Sequence, residues 1–165
     1  MIVYRANTIQ QLPAPWVTAE NFQQYGQVIF ASEDDKPYDA EDAQLSLQNG
    51  TPRFYIMRLK RNGRKFDRIT RHSQCTQCLG SLEGKDWFMA VAPSNEAEEP
   101  EIEAISAFHI PGNCFIKLEV GTWHAGPYID HDFVDFYNLE LSNTNVVDHF
   151  THSFVKSHQL EFEIT

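Results

Sequence analysis

The sequence predicts an all-β protein, an antiparallel β-barrel or jelly roll with one short helix near the N-terminus. Three observations carry this reading. Short runs rich in β-branched and aromatic residues recur along the chain, bounded by Gly, Pro, Asn or Asp. Helical patterning is confined to one stretch near the start. Finally, His72, Gln77 and Gly84 stand at fixed offsets in one turn-flanked stretch, and Gly121 and His124 in another some forty residues on. Two half-sites on separate hairpins converge only inside a barrel.

A chain of 165 residues, 42% hydrophobic and 13% aromatic, reads as one domain over 1–165 with a sizeable core and no room for a second. No basic segment precedes an apolar run at the start, and no run approaches the roughly eighteen apolar residues of a membrane span, so the expectation is a cytoplasmic protein without a membrane partner. Three cysteines, an odd number, agree with a reducing compartment. A formal net charge of -10 opposes nucleic-acid binding, which needs cations against phosphates. An anionic ligand would have to be held by a local cluster of Arg or Lys.

In chain order, residues 1–17 contain Pro13 and Pro15 and read as an extended arm. Thr18 can cap a helix through Tyr25, which Gly26 would close. Gln27 to Phe30 follows as a strand, and residues 32–46, rich in Asp and Glu, as a solvated acidic loop. Arg53 to Lys60 alternates; Asn62-Gly63 signals a hairpin; Lys65 to His72 returns. Trp87 to Ala92 is a short apolar run suited to a buried strand, and the acidic run Ser94 to Glu103 an exposed connection. Ala107 to Ile110, Cys114 to Val120 and Phe133 to Leu141 complete the strands.

Strand parity sorts the polar residues. If His72 points into the barrel, Thr70 and Arg68 share its face and Arg71 points away unless a bulge intervenes; if Glu119 points inward, so do Lys117 and Phe115. The lumen would then hold two His, a Gln, a Glu and cationic groups, which burial permits only with partners or a ligand. Trp123 either packs in the core or walls the site beside His124. Cys75 and Cys78 lack the helix N-terminus of a redox pair and the second Cys pair of a structural zinc site. His149 and His152 lack an obvious carboxylate arrangement and read as surface residues.

The His72, Gln77, Gly84 spacing and the Gly121 to His124 step resemble the two motifs of the cupin barrels. In metal-binding cupins the first motif brings two His and a Glu; here those positions hold Thr70, His72 and Gln77. A divalent ion would therefore rest on His72, Gln77, Glu119 and His124, and a site with no metal stays open beside it.

A narrower resemblance follows from Thr18 to Gly26 ahead of a β-run, from Arg71-His72 with Gln77, and from Gly121-Thr-Trp-His124-Ala-Gly-Pro127. These look like the ureidoglycolate lyase family of the cupin superfamily, over roughly residues 12–30 and 53–148. The chain departs from the family pattern at Glu119, where a His is common, and at Ala125-Gly126 before Pro127. The resemblance implies a homodimeric carbon–nitrogen (amidine) lyase of allantoin, hence purine, catabolism that splits ureidoglycolate, a small anionic ureido acid, into glyoxylate and urea. Some members are metal dependent, with nickel named. That reaction needs a base for the hydroxyl proton, a donor for the leaving nitrogen and a cation for the carboxylate. His124 as base, His72 as acid or ligand, Gln77 as orienter, and Arg68, Arg71 or Lys117 as clamp fill those roles, with base and acid interchangeable. A cupin that binds a small carboxylate without turning it over, and a metal-dependent oxygenase or isomerase, are the competing readings.

Overall fold

The computed structural model describes residues 6–165. Of the arm expected over 1–17, residues 1–5 lie outside the described residues; the rest is not a free arm, because β1 (Thr8–Leu12) pairs in parallel with the last strand, β13 (Leu160–Ile164). The helix α1 is shorter than its signal, Ala19–Phe22. Thr18 and Asn21 cap it reciprocally, each side chain bonding the other's backbone N–H. Gly26 does not close it but opens β2 (Gly26–Phe30), where any Cβ would collide with the carbonyl of Lys117.

Two five-stranded sheets face each other as a jelly-roll-like sandwich. One has the order β2, β9 (Cys114–Leu118), β6 (Gln77–Ser81), β11 (Phe133–Leu141), β3 (Pro52–Lys60). The other runs β12 (Phe150–Ser153), β5 (Arg68–Arg71), β10 (Trp123–Tyr128), β7 (Gly84–Ala92), β8 (Ser106–Gly112). The all-β reading holds, but among the described residues the edge strands of one sheet do not pair with those of the other, so the barrel is not closed. A third, small sheet of β1, β13 and β4 (Lys65–Phe66) covers the back of the second.

Three layers make two cores. Between the five-stranded sheets lie Val28, Leu79, Ile116, Leu118, Val134 and Phe136, meeting Trp87, Met89, Val91 and Ile110. Behind the second sheet, Ile69, Phe88, Ala90, Ala92, Trp123 and Ala125 pack on Phe66, Phe154 and Phe162. Consecutive residues of β7 thus serve opposite cores, which is why the run is apolar without alternation. The Asn62-Gly63 hairpin does not form: β3 pairs over its whole length with β11, and the chain after Gly63 crosses to the other sheets. Asn62 holds this corner instead, donating to the Pro127 carbonyl at 2.9 Å and accepting from the Ile129 N–H at 2.9 Å.

Candidate functional site

The two sequence motifs converge at one end of the first core. His124, on β10, lies across from Thr70 of β5, and the chain after β5 delivers His72. The turn before β10 is fastened to it by the Gly121 N–H, which donates to the His72 carbonyl at 2.7 Å. Gly121 is left-handed there (φ 81°), and a Cβ would strike Ser94. The imidazoles of His72 and His124 stand 5.0 Å apart, centroid to centroid. With Gln77, at the start of β6, they line a narrow buried crevice bordered by Cys75, Leu118 and Thr122, too tight in this conformation to admit a water.

A backbone carbonyl fixes the tautomer of His72, and a second faces His124 at longer range. A carbonyl only accepts, so His72 Nδ1–H donates to the Asp148 carbonyl at 2.5 Å, and His124 Nδ1 faces the Thr122 carbonyl at 3.5 Å. Each Nε2 is left with a lone pair. Burial depresses both pKa values: His72 is moved below its ordinary range, and His124, penalised further by the neighbouring His72, falls to about 3. Both rings are neutral at pH 7.

Gln77 is oriented by a buried polar row on the inward face of the first sheet. Its Nε2 donates to Asn138 Oδ1 at 3.0 Å and to Glu140 Oε2 at 3.3 Å, while the Tyr55 hydroxyl accepts from Asn138 and donates to Glu140 Oε1. Gln77 Oε1 is buried and has no hydrogen-bond donor among the described residues, which leaves it able to accept one.

The other expected site residues go elsewhere. Arg71 and Trp123 point to the second core: the Arg71 guanidinium lies 4.3 Å over the Trp123 ring and bonds the Asn95 carbonyl, and Trp123 Nε1 bonds Asn95 Oδ1. Trp123 therefore does not wall the crevice; its neighbour His124 takes the inward face. Arg68 is exposed, beside Asp67, about 13 Å along the chain from His72. Lys117 is fully buried but on the outward side of β9, since Ile116 and Leu118 fill the core, and it is bound to Glu119. Glu119 borders the crevice with its carboxylate taken by that lysine. None of the three expected cationic clamps faces the site.

Two residues that sequence reasoning passed over lie around it, His149 beside His72 and Arg53 exposed on the same face of the first sheet, outside the crevice lining. His149, exposed, stands 5.5 Å from His72, placed there by the antiparallel pairing of β12 with β5. Arg53 is directly opposite Glu140 on the inward face, two strands or about 10 Å from Gln77; its guanidinium rests 3.6 Å over the Tyr55 ring. The parity of Val134 and Phe136, carried on to Asn138 and Glu140, was the one signal in the sequence that could have found this polar row. Neutral imidazoles with free lone pairs and an unpartnered amide oxygen are donors that suit a divalent ion, whereas the Glu119 carboxylate, held by Lys117, is not among them.

A comparison with curated proteins finds none that matches. Eight solved chains match, among them RmlC from Streptococcus suis, solved in complex with dTDP-D-xylose. It is 11% identical at a TM-score of 0.42, covering 54% of this chain and 43%, less than half, of that one. The family model described as ureidoglycolate lyase matches residues 9–158, a span that takes in both histidine motifs, the polar row behind Gln77 and all but the last strand: the chain belongs to the ureidoglycolate lyase family.

Proposed function

We propose that the crevice is the active site of a ureidoglycolate lyase, releasing glyoxylate and urea in allantoin catabolism. The observation that supports it most is the pairing of a neutral, lone-pair-bearing His72 Nε2 with the donorless Gln77 Oε1 in one buried crevice. Ureidoglycolate carries a hydroxyl and a ureido nitrogen on the same carbon. His72 takes the hydroxyl proton; the oxygen's electrons form the aldehyde carbonyl as the carbon–nitrogen bond breaks, and the imidazolium returns the proton to the departing urea nitrogen. His72 suits this better than His124, whose pKa of about 3 makes it too weak a base at neutral pH. Gln77 Oε1 accepts a ureido N–H, and Arg53, the cation on the inward face, takes the carboxylate. Were a divalent ion such as nickel bound there, the His72 and His124 lone pairs and Gln77 Oε1 would hold it in place of these proton and hydrogen-bond roles, and it would supply Lewis-acid polarisation of a substrate oxygen.

The same reading makes the enzyme a cytoplasmic homodimer. No helix among the described residues is long and apolar enough to cross a membrane. The test is glyoxylate release from ureidoglycolate. His72→Ala should lower kcat about 10²- to 10⁴-fold, with the acid limb of the wild-type profile below the ordinary histidine range. Arg53→Ala should raise KM with kcat nearly constant. A wild-type protein that binds small carboxylates but releases no glyoxylate from about pH 6 to 9, the span in which histidine bases work, would instead be a binding module.

A further inference from the structure

On the face of β12 opposite the crevice, a second histidine cluster stands apart from this chemistry. His152 lies across from Ile69, on the side of the second core, with its side chain largely buried and its ring edge-on to Phe154 at 5.2 Å. From there it meets Glu99, on the acidic connection after β7, and His158, the last residue of the helix α2 (Phe154–His158). His158 Nε2 is 2.9 Å and His152 Nε2 3.3 Å from the same atom, Glu99 Oε2, and all three ligand atoms lie within 4.8 Å of one another.

We propose that Glu99, His152 and His158 form a binding site for a divalent transition metal ion of the zinc type. The donor set, two imidazoles and one carboxylate, is the one such ions prefer when a further position is left to water. Bonds of about 2.0 Å in a tetrahedron put neighbouring ligand atoms about 3.3 Å apart, which the two nitrogen–oxygen separations already approach. The donors are also held in place: Asn95 Nδ2 bonds the Glu99 carbonyl at 2.9 Å, and Phe154 packs edge-on against the His152 ring. An ion there would tie the 94–103 connection to α2.

Zinc titration of the full chain, followed by calorimetry and by the ring-proton resonances of its histidines, tests this. The resonances of His152 and His158 should shift as one site fills. His158→Ala and Glu99→Gln should each weaken that event by about 10- to 100-fold or more, and His124→Ala should leave it unchanged. His158 and Glu99 are surface residues, so both variants keep the fold. If the His152 resonance of His158→Ala titrates with wild-type zinc affinity, or if the His152 and His158 resonances of the wild type do not move while zinc binds, the site does not exist.

Discussion

His124 carries a neutral ring into a place where its charged form is strongly disfavoured, and this makes stability depend on pH. In the unfolded chain it takes a proton near 6.5; in the fold it does so only at about 3. Between those values the unfolded state binds more protons, so this contribution to stability is complete above pH 6.5 and is lost as pH falls towards 3, by about 1.4 kcal/mol per pH unit. His124→Gln should remove it: urea melts of wild type and variant should differ by about 2 kcal/mol less at pH 5 than at pH 7. Arg71 gives the opposite kind of test. Clasped between Trp123 and Phe150, it belongs to packing, and Arg71→Ala should cost on the order of 1–2 kcal/mol with KM for the substrate unchanged. Simple parity had placed Arg71 away from His72, and it is there. Lys117 was misplaced because the inward phase was taken from Glu119, whereas Ile116 and Leu118 are the residues that set it.

Among the elements, the strands whose neighbours are decided by their own pattern were legible, and those decided by distant partners were not. Phe133 to Leu141 is β11 to the residue, its alternation reporting one buried face. The Asn62-Gly63 signal was a true turn with the wrong consequence, because the strands it joins pair with β11 on one side and with β13, β12 and β10 on the other. His149 was beyond reach for the same reason: nothing local says that β12 lies beside β5. The corner itself depends on one side chain. Asn62→Ala would leave the Pro127 carbonyl and the Ile129 N–H without partners, and should lower stability by about 1–3 kcal/mol in a denaturant melt.

For the whole molecule, the outward face of the first sheet is the unfinished surface. Phe54, Ile56 and Tyr137 stand exposed on β3 and β11, beside an apolar cleft that Leu45, Phe115 and Leu139 continue. A second copy of the chain would cover it, in keeping with the proposed homodimer. Sedimentation should report a dimer for the wild type, and Phe54→Glu with Ile56→Glu should release the 19.0 kDa species. A wild-type protein already sedimenting at 19.0 kDa would end that reading.

The two-sided burial of β10 has a consequence for how this chain can change by descent. Trp123 and Ala125 fill one core and His124 the other, so gain or loss of a single residue in the Glu119 to Thr122 turn would exchange the faces, sending an imidazole into the apolar layer and an indole into the crevice. A substitution there leaves this phase intact; a frame-preserving insertion or deletion of one codon does not. The acidic 32–46 loop, mostly exposed and outside both sheets, has no such phase to keep, and it is where differences in length between descendants of this sequence can accumulate.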